Sequence, residues 1–210
     1  VSSVAMESSQ GRRIERPLTV VFFGIQGSGK GTQASLLEDF LVRNSDENVL
    51  RLEMGERLRG FASGSGEPNK RVQAVMSAGK LLPAFIPSHV ITSFFLNEFT
   101  GREHLIFDGV ARRVEQAIVL DDALSFYDRS DYEVIQIDLP EGDARARMAL
   151  RHRDDDAEAQ IQRRFEWYLK ETVPALGELR ARGRRIHVVD GRPSIGEIQQ
   201  EVLRVLGLSA

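Results

Sequence analysis

Residues 18–42 read LTVVFFGIQGSGKGTQASLLEDFLV, and no other stretch narrows the possible folds so far. Leu18–Phe23 is short, apolar, β-branched and aromatic, which predicts a strand buried on both faces. From Gln33 to Val42 the pairs Leu36/Phe40 and Leu37/Leu41 recur at helical spacing, which predicts an amphipathic helix. Between them lies a glycine-rich loop matching G-x-x-x-x-G-K-[ST] at Gly24, Gly29 and Lys30. Strand, loop, lysine and helix in this order point to an anion site: main-chain N–H groups curl around a phosphate, Lys30 adds charge, and the helix N-terminus adds its dipole. The alternative is an ordinary glycine turn, which needs neither the lysine nor the order. One departure stands out. Gly31 follows the lysine, and the hydroxyl comes one residue late, as Thr32. Gly27, Ser28, Gly29, Lys30, Gly31 and Thr32 are therefore the candidate phosphate-binding set.

The alternation continues down the chain. Strand patterns at Val49–Leu52, His104–Phe107, Glu133–Leu139 and Arg185–Val189 are separated by helical patterns near 55–63, 69–79, 90–95 and 113–127 and from about 142 to 181, with a last helix near 195–206. Strands alternating with helices predict an α/β fold with a parallel five-stranded sheet covered on both faces. Residues 1–16 are polar and lack the apolar core of a secretory signal, so they are expected to be a disordered tail or an expression remnant ahead of one domain over 17–210.

Composition removes whole classes of function. There is no cysteine, hence no disulfide, thiol catalysis or zinc–thiolate site. The formal charge of −3 gives no chain-wide basic field for nucleic acid. The apolar run at 18–25 is far shorter than the ~20 residues of a membrane span, so a soluble protein is expected. Of 28 basic residues, 24 are arginine and four lysine, and one of those four falls in the phosphate loop. A compact ammonium suits that place better than a planar fork. His89, His104, His152 and His187 show no metal-ligand spacing and are read as structural.

The displaced hydroxyl also identifies a variant. GIQGSGKGTQ resembles the loop of adenylate kinases and related nucleoside monophosphate kinases, in which a glycine follows the lysine. The resemblance extends in order to GERLRG…AGKLL (55–82), DGVARRVEQA (108–117), RDDDAEAQIQRRFEWY (153–168) and VVDG (188–191), covering about 18–206. It implies a P-loop kinase fold with a helical monophosphate-binding insertion near 54–83, transferring the terminal phosphoryl group of ATP to AMP with Mg2+. It further implies a cytoplasmic monomer that engages neither membrane nor nucleic acid. A UMP or CMP kinase, and a regulatory nucleotide-binding protein that has lost efficient transfer, remain open as alternatives.

By the same resemblance Arg59 and Arg112 would grip the acceptor phosphate, Lys80, Leu82, Gly109 and Met54 would border the acceptor, and Gln116, four residues after Arg112 on a helix, would read its base. Arg151, Arg153 and Arg164 would clamp the transferring group, with Arg147 and Val188 beside the donor base and Asp108 holding water on Mg2+. Asp155 and Glu158 are read mainly as a helix cap. Three features depart from the family pattern. Met54 stands where a threonine is usual, Val110–Ala111 replaces Phe–Pro, and Arg151 and Arg153 are separated only by His152, where relatives carry a lid. The lid is thus expected to shrink to a bend near 150–155.

Overall fold

A computed structural model describes residues 14, 16–151 and 158–208. The expected tail lies almost wholly outside these residues, as do Arg153, Asp155 and most of the expected lid bend. Arg151 enters only as the last residue of its helix.

The chain alternates as its apolar pattern requires. β1 (Thr19–Gly24) leads to α1 (Lys30–Asn44), β2 (Val49–Glu53), α2 (Met54–Ala62), α3 (Glu67–Ser77) and α4 (Phe85–Asn97). Then come β3 (His104–Asp108), α5 (Val114–Phe126), β4 (Glu133–Asp138), α6 (Glu141–Arg151) and α7 (Glu158–Trp167). α7 runs through a π turn (Tyr168–Thr172) into α8 (Val173–Ala181), and β5 (Arg185–Asp190) and α9 (Ile195–Val205) close the fold. The π turn sits just ahead of Pro174, which offers no N–H to the helical ladder, so the backbone widens there.

All five strands are parallel, in the order β2-β3-β1-β4-β5. Period-two alternation divides the core. Val21, Phe23, Leu105, Phe107 and Val134 face α2, α4, α5 and α8, whereas Val20, Phe22, Ile106, Ile135 and Ile137 face α1 and α9. Every residue of β1 and of β3 is buried, which is why both read as unbroken apolar runs.

The amino ends of the strands are tied by buried polar groups. Arg129 donates to the carbonyls of Gly101 (2.9 Å) and Glu103 (3.1 Å) and reaches Pro17 O (3.4 Å). Leu18 N–H donates to His104 Nδ1 (2.9 Å), leaving Nε2 to Ser45 Oγ (2.8 Å). Burial, with Arg129 nearby, holds the His104 pKa below its ordinary value, so the imidazole is a neutral structural link. Burial pushes Asp121 upward, but hydrogen bonds from Arg184, Tyr132 and Arg182 outweigh it and keep the carboxylate ionised. With one edge of the sheet closed in this way, the carboxyl ends of all five strands open on the other.

Candidate active site

The loop after β1 is shaped by close approaches. Gly27 sits at φ +86°, and a Cβ there would come within 2.7 Å of Ala144 O, because the amino-terminal part of α6 lies against the loop. Gly31 accounts for the late hydroxyl. A Cβ on it would meet Asp108 Oδ2 at 3.1 Å, so a serine or threonine there would press on the carboxylate at the end of β3 and need it to give by a few tenths of an ångström. Ser28 turns inward instead: its N–H donates to Ile25 O (3.1 Å), and its Oγ is buried with no hydrogen-bond partner among the described residues.

The loop forms one wall of a cleft of ≈1420 Å³ along the carboxyl edge of the sheet, where open parallel sheets collect ligands. Gly27, Gly29–Thr32, Arg147 and Pro193–Ile195 line one end. Met54, Arg59, Lys80–Leu82 and Gln116 line the other, with Asp108, Arg112, Arg164 and Trp167 between them. Gly109 borders a small adjoining pocket shared with Lys30, Arg112 and Trp167. The structure thus gathers most of the residues expected from sequence into one space.

The middle of the cleft is built around Arg112. Its Nε donates to Gly109 O (2.9 Å) and its guanidinium lies 5.5 Å from the Trp167 ring centre. Burial pushes its pKa down, Asp108 pulls it back up, and the charges of Arg164 and Arg59 push it down again. Three guanidinium groups thus lie within electrostatic reach of one another, beside the carboxylates of Asp108 and Glu53, an arrangement able to receive a further anion. Arg164 is 8% exposed, while Arg59 is exposed and bonded to Glu53 Oε1 (3.1 Å). At the loop end Arg147 Nη2 donates to Gly191 O (2.7 Å), which anchors it beside the turn after β5.

Some expectations need correction. Val188 does not line the cleft: it is 57% exposed on edge strand β5, and residues 193–195 border that end instead. Arg112 and Gln116 do not share a helix, because α5 begins at Val114. Gln116 reaches back, its Oε1 accepting from the Arg112 N–H (2.9 Å), which leaves its amide donors to a ligand. Glu158 opens α7, in keeping with a helix start, and in addition pairs with Arg145, which bonds Glu141 and Gln162 and so ties α6 to α7. Arg51 and Trp167 are among the cleft residues that escaped sequence reasoning. Arg51 of β2 has Nη2 at 3.6 Å from Asp108 Oδ2 and donates to Gly31 O (3.3 Å). Its signal was a charged residue within an otherwise apolar strand pattern. Trp167 is the single tryptophan of the chain and carries Arg112 on its face.

No helix among the described residues is long and apolar enough to cross a membrane. A family model described as "Adenylate kinase" matches residues 22–183. Among individual proteins, the chain is 32% identical to an adenylate kinase of Corynebacterium urealyticum, over 90% of this chain and 99% of that one. It is also 32% identical to an adenylate kinase of Thermus thermophilus, over 90% and 97% of the two chains. A third, from Rhizobium meliloti, shares 30% identity over 90% and 100%. Sheet order, loop geometry and these matches agree, and the chain belongs to the adenylate kinase family.

Proposed function

We propose that the chain works as a nucleoside monophosphate kinase whose acceptor is AMP, catalysing ATP + AMP ⇌ 2 ADP. The observation that carries this reading is the single cleft with a main-chain phosphate loop at one end, a guanidinium cluster in the middle and a pocket bordered by Met54, Leu58, Met76 and Leu82 at the other. Two phosphate-bearing ligands placed head to head would meet at Arg112 and Arg164. ATP would occupy the loop end, its phosphates against the N–H groups of Gly29–Thr32 and its base beside Arg147 and Pro193–Ile195. The acceptor would lie against Met54, Lys80–Leu82 and Gln116, its phosphate held by Arg59 and Arg112.

Transfer of this kind needs alignment and charge stabilisation more than acid–base chemistry. Lys30 is placed to follow charge from the donor's leaving oxygen to the moving group, and Arg112 and Arg164 to hold the transferring oxygens in line. Mg2+ keeps several waters and needs few protein ligands. The carboxylates that line the cleft, Asp108 and Glu53, suit that mode of binding. Asp108 would hold Mg2+ through water, and the ion would supply neutralisation of the phosphate charge. Arg151 and Arg153, whose side chains lie outside the described residues, would join the clamp on the transferring group by family resemblance alone, and Val188 has no place in this account.

Met54 is 1% exposed and offers a thioether to a base, so contact there is apolar and polarisable. AMP is therefore expected to be the best acceptor, with discrimination shared by Gln116. The experiment is steady-state transfer from ATP to AMP, UMP, CMP and GMP, with ADP and free phosphate measured separately. A higher kcat/KM for UMP or CMP than for AMP refutes the acceptor assignment. ADP and free phosphate in equal amounts, with no diphosphate formed from any acceptor, refute the transferase reading.

A further inference from the structure

At the far end of the cleft, three consecutive carbonyls are taken by three side chains of one helix. α3 ends in a glycine closure: Lys80 N–H donates to Val75 O (3.2 Å) and Gly79 N–H to Met76 O (2.9 Å), with Gly79 at φ +67°. This satisfies the carbonyls of Val75 and Met76 and leaves those of Ser77, Ala78 and Gly79 without a partner in their own helix. α7 supplies the donors. Gln160 Nε2 donates to Ser77 O (2.6 Å), Arg163 Nη1 to Ala78 O (2.7 Å) and Trp167 Nε1 to Gly79 O (3.3 Å). Positions 160, 163 and 167 share one helix face. The backbones touch as well, since a Cβ on Gly79 would lie 3.1 Å from Gln160 Cα. A guanidinium on the carbonyl end of α3 is also favoured by the helix dipole.

What hangs from this clasp makes it more than a packing detail. On one side the chain continues straight into Lys80–Leu82, which border the acceptor end of the cleft. On the other, the residue after Arg163 is Arg164, and the third donor, Trp167, is the ring beneath Arg112. We infer that Gln160 and Arg163 are positioning residues for phosphoryl transfer: their clasp joins the acceptor subregion to α7, so that acceptor binding sets where Arg164 and the Trp167–Arg112 pair stand. The inference rests on the proposed kinase reading. It gives the shortened chain between α6 and α7 a mechanical complement, because the arginine helix is steered from the acceptor side.

The test is the full-length double variant Gln160→Ala/Arg163→Ala, which leaves every cleft arginine and Trp167 in place. Coupling between two sites of this kind commonly amounts to about tenfold. KM for AMP should rise and kcat fall by about that factor while KM for ATP stays unchanged. The AMP-induced change in fluorescence of Trp167, which reports from within the clasp, should be lost, and Arg163→Lys should restore part of both effects in an otherwise unchanged chain. Unaltered kcat, KM for AMP and fluorescence response overturn the inference. So does an equal rise in both KM values with a lower melting temperature, which a general structural defect would give. If the unaltered chain binds AMP with a fluorescence change but transfers nothing, the kinase reading fails, while the binding signal of the double variant still decides the clasp.

Discussion

The two ends of the cleft are made of different material. At the loop end the groups placed to hold a phosphate are main-chain N–H groups, fixed by the approach of α6 to Gly27 and of Asp108 to Gly31. At the acceptor end they are side chains, with Arg59 and Lys80 exposed and Arg59 spending its charge on Glu53. A main-chain site is set before the ligand arrives, so little ordering remains to oppose binding there. A side-chain site must be assembled, so acceptor binding and arginine placement become one event. On the proposed reading, the difference teaches that rigidity and control lie at opposite ends: the donor would be received and the acceptor sensed.

That contrast can be broken or sharpened by four substitutions. Lys30→Met should have the largest effect. It is expected to lower kcat by about 10²–10³-fold, the usual loss when one electrostatic contact to a transition state is removed, with an unchanged melting temperature. Near-normal turnover would remove the loop from the mechanism. Gly27→Ala comes next. A left-handed conformation costs a non-glycine residue about 1–2 kcal/mol, and its Cβ would press on Ala144 O. Calorimetry should show ATP affinity down by about tenfold and AMP affinity unaffected. Equal loss of both would mean that the two ends are not separable.

Arg112→Lys tests the other end. An ammonium cannot reproduce the planar fork, so KM for AMP should rise by about tenfold while KM for ATP hardly moves. A matching rise for ATP would place Arg112 on the donor instead. The smallest effect belongs to Gly60→Ala in α2. The site is exposed, and a Cβ there meets nothing within 4 Å. Thermal melting should show a gain of about 0.4–1 kcal/mol in stability with unchanged kinetics. A changed KM for AMP would show that the flexibility of α2 itself matters to the acceptor site.

What could be read from the sequence follows the same division. The loop was legible because its backbone demands are written in residue types: only glycine fits at Gly27, and only a small residue beside Asp108 at Gly31. The parallel sheet was legible because strands buried on both faces read as continuous apolar runs. The acceptor side was less so. Arg112 and Gln116 were placed on one helix because spacing alone cannot show that Arg113 is the extended residue ahead of α5. Val188 was assigned to the donor base by resemblance alone, and alternation along β5 could not check it, since it gives two faces without saying which one a ligand meets. The clasp left hardly a trace, since its acceptors are carbonyls that any residue carries, and only Gly79 marks the close approach. Arg151 and Arg153 were named by resemblance, and their side chains lie outside what the structure describes.

The polar ties at the amino ends of the strands bear on how such a protein changes over generations. Arg129, His104 and Asp121 hold β1, β3 and β4 together at the edge away from the cleft, through hydrogen bonds that involve none of the cleft-lining residues. Substitutions at exposed cleft positions such as Arg59 or Lys80 can therefore accumulate without loosening these ties, whereas Met54 and Gln116, both buried, are bound up with packing. A lineage with this arrangement is free to explore new acceptors one contact at a time, since each trial is made at the open edge while the closed edge goes on securing the fold.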